Sequence, residues 1–187
     1  MGTTARECAD APPRTAKWQA SFESLARRFY PGVYNYLCWL SRDTVLAEDV
    51  TQETFMRVWQ HPPELRGNRA LKAWIFRVAR NEYLQHRRRA GLDTIALEEC
   101  DDAEAIDWSA PSPQVLLERA ELCQAVRAAV EGLPDLYREV IVLHNLDELS
   151  LTEVAQVLAI PVGTVKSRRA KAFVTLRNLL SEMEARR

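Results

Sequence analysis

Glycine is scarce in this sequence, with 6 residues among 187. Helix-forming residues dominate instead, and no segment alternates apolar and polar residues as a strand does. Both features predict an all-α protein. No apolar run approaches the roughly 18–20 residues that a membrane-spanning helix needs. The first residues also lack the apolar core of a signal peptide, so we expect a cytoplasmic protein that does not insert into a membrane.

Cysteine and histidine are also sparse, and neither occurs at metal-binding spacing. The four cysteines include no CxxC pair, and the three histidines are equally scattered. This spacing argues against a zinc site. We expect Cys38 and Cys123, which fall on apolar helical stripes, to be buried as small apolar side chains. Because paired catalytic carboxylates, a nucleophile–histidine arrangement and a phosphate loop are also missing, we expect neither enzymatic activity nor a cofactor.

The net charge is close to zero, at −1, but the charges are distributed unevenly. Residues 91–114 contain seven acidic residues and no basic one, whereas residues 18–90 contain twelve basic and seven acidic residues. The acidic segment also has two closely spaced prolines, which is typical of a flexible linker. We therefore predict two small helical domains, 18–90 and 115–187, joined by an acidic linker and preceded by a disordered extension at 1–17.

The apolar periodicity of the first domain predicts three helices. The first runs from Trp18, and Pro31 with Gly32 predicts a kink or a break within it. The second begins near Asp43 or Thr44, and the third covers "RALKAWIFRVARNEYLQHRRR".

One face of the second predicted helix is acidic. Asp49, Gln52, Glu53 and Met56 recur at helical spacing, so they share one side of the helix. An acidic, amide-bearing face with one flexible apolar residue suits a basic protein partner. A solvated surface gives the same pattern, and the spacing alone does not distinguish the two.

The third predicted helix interleaves aromatic, amide and basic side chains, which suits unpaired bases and backbone phosphate. Its stripe contains Trp74, Arg77, Asn81, Gln85 and Arg88, flanked by Arg80, Arg87 and Arg89. The spacing equally allows Trp74 to lie in the core beside Leu71 and Ile75. The loop ahead of the helix, which includes Asn68 and Arg69, is suited to enclose an extruded base.

The C-terminal segment has the pattern of a helix-turn-helix. Ser150 and Glu153 form a capping box that predicts the start of a short helix, and "AIPV" predicts the turn after it. Gly163 and Thr164 then open a last helix that has no acid before Glu182. Such a basic helix suits the major groove of DNA, although a solvated basic face is the simpler alternative. The candidate DNA-binding residues are Thr164, Lys166, Ser167, Arg168, Arg169 and Lys171; of these we expect Lys166, Ser167, Arg169 and Lys171 on the exposed side.

Two blocks of the chain together resemble bacterial sigma factors of the extracytoplasmic-function (ECF) group. The stretches "AEDVTQETFMRVWQ" and "LKAWIFRVARNEYLQHRRR" resemble the second conserved region of that group. A third stretch resembles the fourth conserved region of that group: "LPDLYREVIVLHNLDELSLTEVAQVLAIPVGTVKSRRAKAFVTLR". The resemblance implies a sigma factor that binds core RNA polymerase through its β′ and β subunits and directs it to specific promoters. It places the acidic face of the second helix on the clamp coiled coil of the β′ subunit.

The same resemblance assigns the two basic helices to promoter DNA. It implies that the last helix reads the −35 element, and that the −10 element is bound by Asn68, Arg69, Trp74, Arg77, Arg80, Asn81, Arg87 and Arg88. It also implies an anti-sigma factor that holds the protein inactive, and a linker that threads toward the polymerase active site rather than a plain tether. Two residues depart from the family pattern: Ala159 replaces the usual glycine, and Gln85 replaces the usual acid. The alternative function is a helix-turn-helix regulator that binds DNA without acting as a sigma subunit.

Overall fold

A computed structural model of the chain describes residues 16–63, 68–91 and 123–185. All regular structure in these three ranges is helical, as the sequence predicts. The predicted linker at 91–114, apart from Gly91, and most of the N-terminal extension lie outside the described residues. Within the described ranges, no helix combines the length and the apolarity needed to cross a bilayer.

The first domain consists of three helices: α1 (Ala16–Ser41), α2 (Thr44–Gln60) and α3 (Asn68–Arg89). The start of α2 confirms the prediction, because the Asp43 side chain caps the helix by accepting hydrogen bonds from the amides of Val45 (2.9 Å) and Leu46 (3.1 Å). The start of α1 differs from the prediction. We assigned Ala16 and Lys17 to the disordered extension, but both residues are helical.

The sequence also predicted a kink or a break of α1 at Pro31, and the predicted break was wrong. The helix continues through the proline. Phe29 before it and Val33 after it are both buried in the same apolar core. Because tertiary packing stabilises the helix on both sides of the proline, the backbone hydrogen bond that proline removes does not end the helix.

The described part of the second domain, residues 123–185, contains four α-helices and a π-helical turn. Residues 123–131 form α4, and they are followed by α5 (Asp135–Ile141), the π-turn (Val142–Leu146), α6 (Leu151–Leu158) and α7 (Val162–Ala185). The buried Arg138 guanidinium donates to the backbone carbonyls of Val130, Glu131 and Leu133, at the C-terminal end of α4. It thereby satisfies acceptors that a helix end leaves without partners.

The predicted apolar stripe of α4 is wrong over most of its described length. Cys123 and Val126 are exposed, whereas Ala129 and Val130 are buried. The described part of α4 contacts the core at its C-terminal end, so the positions ahead of that contact remain on the surface. Cys38, in contrast, is partly buried against the core.

The two domains pack directly on each other, with α3 against α6 and α1 against α5. Their buried apolar side chains form one continuous cluster. We call this arrangement the closed form. It places the two predicted DNA-binding helices, α3 and α7, in a single compact body.

Candidate nucleic-acid and protein interfaces

The helix-turn-helix predicted from the sequence is formed by α6, its turn and α7. The Ser150 hydroxyl accepts from the Glu153 amide at 3.3 Å, and the Glu153 carboxylate accepts from the Ser150 amide at 2.7 Å. This is the predicted capping box. The two helices pack on each other, and Val154, Leu158 and Val165 are buried.

The turn between α6 and α7 keeps a left-handed residue even though that residue is not glycine. Ala159 has φ 54° and ψ 44° at the end of α6. The amide of Ile160 then donates to the carbonyl of Ala155 at 3.1 Å, which closes the helix end. Ala155 itself is buried. The departure from glycine therefore leaves the turn geometry in place and adds strain to it.

The basic helix α7 begins at Val162, one residue earlier than predicted. The carbonyl of Pro161 accepts from the amides of Thr164 (2.9 Å) and Val165 (3.2 Å) in the first turn. A Cβ atom added at Gly163 would meet no other group within 4 Å, so this turn is open to an approaching molecule.

The candidate DNA-binding residues of α7 divide by exposure. Lys166, Ser167 and Lys171 are exposed, as expected, whereas Thr164, Arg168 and Arg169 are half-buried. The expected exposure of Arg169 is wrong, because its guanidinium lies over the Phe173 ring, 5.1 Å from the centroid. That contact shields Nε of Arg169, which has no hydrogen-bond partner in the described parts of the chain. The exposed basic surface of α7 is therefore narrower than the sequence suggested.

The acidic face of α2 is exposed throughout. Asp49, Gln52, Glu53 and Met56 all lie at the surface, and Met56 is 61% exposed. Val45 extends the same face toward the N-terminus and is 69% exposed. The sequence reasoning missed Val45, although its position four residues before Asp49 is the signal that places it there. Two exposed apolar side chains therefore flank the acidic residues.

The predicted DNA-binding residues of α3 lie on two different faces. Arg77, Asn81 and Arg88 are exposed, and so is Arg69 at the start of the helix. Trp74 is half-buried and packs against the apolar core, which favours the core alternative for most of its ring. The Asn68 side chain and the loop residues 64–67 lie outside the described residues.

Arg80 and Arg87 face the second domain instead. Nε and Nη2 of Arg80 lie 2.9 and 3.3 Å from the two carboxylate oxygens of Glu139 in α5, which makes a forked ion pair. Burial alone would lower the pKa of Arg80, but the Glu139 carboxylate outweighs it and leaves that pKa raised. A weaker pair joins Arg87 to Asp135 at 4.0 Å. Two of the residues assigned to DNA are therefore engaged across the domain interface.

Comparison with known families identifies both domains. Residues 25–92 match sigma-70 region 2, and residues 123–176 match sigma-70 region 4. The first match extends two residues beyond the predicted domain 18–90, and the second lies inside 115–187.

Curated relatives show the same relationship along most of the chain. The chain is 33% identical over 143 residues to the ECF RNA polymerase sigma factor SigW of Bacillus subtilis, covering 73% of this chain and 76% of that protein. It is 30% identical over 185 residues to the ECF sigma factor SigE of Mycolicibacterium smegmatis, covering 94% and 71%. The ECF sigma-E factor of Escherichia coli is 35% identical over 137 residues, covering 70% and 71%.

Solved structures resemble the closed form described above. The sigma factor RpoE, crystallised with the anti-sigma factor NepR from Bartonella quintana, matches with a TM-score of 0.66 and 27% identity, over 86% of this chain and 97% of that one. CnrH, in complex with the cytosolic domain of CnrY, shares the fold with a TM-score of 0.59 and 24% identity, over 88% and 90%. The sequence matches in both domains and this shared architecture lead to one conclusion: the chain belongs to the ECF family of RNA polymerase sigma factors.

Proposed function

We propose that this ECF sigma factor binds core RNA polymerase and promoter DNA through three separate surfaces of two domains. Residues 18–90 would bind polymerase and the −10 element, residues 115–187 the −35 element, and the acidic linker at 91–114 would join them. The observation that carries the proposal is the pair of basic helices, α3 and α7, one in each domain, with exposed polar and basic side chains. Recognition of a promoter with two separate elements requires two such DNA-binding helices on one chain.

The acidic face of α2 is the proposed polymerase surface. Asp49, Gln52, Glu53 and Met56 are exposed together, and Val45 adds apolar area beside them. Charged groups flanked by exposed apolar side chains give both electrostatic steering and desolvated contact. Following the family resemblance, we assign this face to the β′ subunit and leave contacts with the β subunit to the second domain.

The exposed residues of α3 are the proposed first contacts with the −10 element. Arg69, Arg77, Asn81 and Arg88 are accessible in the closed form. Arg80 and Arg87 belong to the same proposed interface but require the domains to separate, since both pair with the second domain. Trp74 and Asn68 complete the assignment, with the exposed part of the half-buried Trp74 ring available to contact a base.

Within α7, Lys166, Ser167 and Lys171 are the proposed direct readers of the −35 element. They are exposed near the N-terminal half of the helix, which is the part that reaches base edges in a helix-turn-helix. The half-buried Thr164, Arg168 and Arg169 are assigned to the phosphates at the rim of the groove.

An anti-sigma factor is the proposed inhibitory partner. The sigma factor RpoE, which has a similar fold, was solved with a partner of this kind, the anti-sigma factor NepR. We also propose that the chain acts in the cytoplasm, where core polymerase works, and that it lends specificity to that enzyme without a catalytic site or a cofactor of its own.

Transcription with purified components tests the proposal. The full chain would be added to core RNA polymerase on a library of promoter fragments, and run-off transcripts would be sequenced. We expect transcripts with defined start sites that need both the chain and the polymerase. Asn81→Ala or Lys166→Ala should reduce their yield at least about tenfold, since each removes a proposed base contact. Defined transcripts that neither substitution affects would contradict the site assignments.

The alternative is a regulator that binds DNA without replacing a sigma subunit. Such a protein has no use for the α2 face, so it would not retain core polymerase in a pull-down assay. Recovery of polymerase that depends on Glu53 would exclude it.

A further inference from the structure

Phe173 is an exposed aromatic residue on the basic helix α7, and the proposed function gives it no role. It is 44% exposed, whereas the adjacent Ala172 is fully buried. Packing in the apolar core therefore does not explain an aromatic residue at this position. The contact that the ring does make is with a residue of the same helix, Arg169.

The guanidinium of Arg169 lies over the Phe173 ring. The two residues are four apart on the helix, so their side chains are neighbours. The guanidinium carbon is 5.1 Å from the ring centroid, within the range of a cation–π contact. No carboxylate within the described ranges forms an ion pair with Arg169. The ring is thus the partner that fixes the position of this side chain.

The contact with the ring leaves the hydrogen-bond donors of Arg169 unused. Of its three guanidinium nitrogens, Nε alone is buried without a hydrogen-bond partner in the described parts of the chain. An aromatic ring, unlike a carboxylate, is not a matched acceptor for the planar fork of N–H donors. The fork of Arg169 therefore remains available to a phosphate, which is such an acceptor.

Lys166 lies on the same side of α7 as this pair. Lys166, Arg169 and Phe173 recur at i, i+3 and i+7, a spacing that places them along one helix face. Lys166 is exposed and is a proposed reader of the −35 element. An arginine side chain that is held beside it before binding loses less conformational freedom on contact with DNA. The ring therefore lowers the cost of a phosphate contact next to the proposed base contact.

We propose that Phe173 is a positioning residue, which holds Arg169 in place for a backbone phosphate of duplex DNA. This inference rests on the proposed function of α7 and adds a residue to it. The ring acts through Arg169 and makes no contact with the DNA itself. A direct contact between the ring and a base is the competing explanation.

NMR of the free full chain measures the contact between the two side chains. We would record the arginine Nε–H signals of wild type, with Arg169→Lys to assign the signal of Arg169. In wild type this signal should be displaced by the ring current of Phe173 and should exchange slowly with water, because Nε is buried. Phe173→Leu should abolish both effects, whereas Phe173→Tyr, which keeps an aromatic ring, should retain them.

Binding to DNA tests the consequence of the contact. The probe is a fluorescein-labelled duplex of random sequence, titrated with the full chain and followed by anisotropy. Arg169→Gln should weaken binding about three- to tenfold and should reduce the slope of log affinity against log salt concentration by about one, as expected for one lost phosphate contact. Phe173→Leu should weaken binding about two- to fivefold, and Phe173→Tyr should bind as wild type does.

The double variant separates positioning from direct contact. If the ring acts through Arg169, Phe173→Leu should have no further effect on affinity once Arg169→Gln is present. Val174→Ala is the matched control, since Val174 is the next residue along α7 and is 53% exposed. This control should change neither the Arg169 signal nor the affinity.

The proposal is overturned if Phe173→Leu leaves the Arg169 signal unchanged, or if it binds the duplex as tightly as wild type. It is also overturned if Phe173→Leu still weakens binding when Arg169→Gln is present, because the ring would then contact DNA directly. A wild-type chain that bound no duplex would refute the phosphate contact as well. A lack of promoter-dependent transcription would refute the proposed function alone, since neither measurement requires polymerase.

Discussion

At the scale of single residues, Ala159 occupies a backbone conformation that favours glycine. Its φ of 54° lies in the left-handed region, where an L-residue with a Cβ atom is disfavoured by roughly 1–2 kcal/mol. We expect Ala159→Gly to raise the free energy of unfolding by up to about 1 kcal/mol, after the extra entropy of glycine in the unfolded chain is subtracted. Urea unfolding of the two proteins measures the difference.

Ala170→Gly is the matched control for this prediction. Ala170 is exposed within α7, in regular helix, so the same substitution there should destabilise the protein by about 1 kcal/mol. If both substitutions destabilise to the same degree, the left-handed conformation at Ala159 carries no strain.

Residues differ in how far the sequence alone could place them. The Asp43 cap and the Ser150–Glu153 capping box were predictable, because each depends on neighbours within three residues. The position of Arg169 was not predicted, although Phe173 four residues later was a readable signal. The pairing of Arg80 with Glu139 gives no local signal, since 59 residues separate the two.

At the scale of elements, α2 is the helix whose proposed role is simplest to isolate. Its acidic face is exposed, so a substitution there should leave the stability nearly unchanged. We expect Glu53→Lys to weaken binding to core polymerase by at least about tenfold, because it places a like charge against a basic partner. Surface plasmon resonance with immobilised core polymerase measures the effect.

Glu23→Lys serves as the control for the α2 prediction. It makes the same change of charge at an exposed position of α1, outside the proposed interface. An equal loss of affinity with both variants would show that net charge, rather than the α2 face, determines binding.

Helix limits were largely predictable from sequence where local chemistry determines them, and less so where packing does. The proline in α1 was expected to interrupt the helix, but burial on both sides keeps it continuous. The π-turn at Val142–Leu146 has no composition signal that we could use. The apolar stripe of α4 was read as buried, yet its described N-terminal part is exposed.

At the scale of the whole molecule, Asp147 couples the closed form to pH. It follows the π-turn, and its Oδ1 lies against Gly32 of α1, 3.5 Å from where a Cβ atom would stand. The Lys72 ammonium of α3 donates to its backbone carbonyl. The Tyr36 hydroxyl interacts electrostatically with Asp147, and Glu139, Arg80 and Tyr83 are further ionisable groups beside it. Burial raises the pKa of Asp147 from 3.8 to about 7, against the opposing influence of Lys72.

The sign of the pH effect follows from this raised pKa. An exposed Asp147 releases its proton near its ordinary pKa, so closing takes up a proton between about pH 4 and 7. The contribution of Asp147 to the stability of the closed form is fully present below about pH 4. It falls by up to about 1.4 kcal/mol per pH unit between about pH 4 and 7, and it does not change further above about pH 7.

Asp147→Asn tests this coupling. The variant lacks the ionisable group, so we expect its melting temperature to be higher than that of wild type near pH 8. This difference in melting temperature should become smaller toward pH 5. Thermal unfolding across that range measures it, with Glu148→Gln, an exposed neighbour, as the control. A difference in melting temperature that does not vary with pH would rule out Asp147 as the titrating group.

The family and the two-domain organisation were predictable from the sequence, because two motif blocks occur in order on either side of a divergent linker. The closed form adds what the sequence could not show: the same arginines that are assigned to DNA complete the contact between the domains.

The most direct test of the central claim is a transcription assay on a promoter library randomised in both recognition elements. Transcripts made with core polymerase would be sequenced for wild type, for Asn81→Ala and for Lys166→Ala. The account predicts that Asn81→Ala changes the preferred bases in the downstream element alone, and that Lys166→Ala changes them in the upstream element alone. If both variants altered the same element, or if neither altered any preference, the assignment of one promoter element to each domain would be wrong.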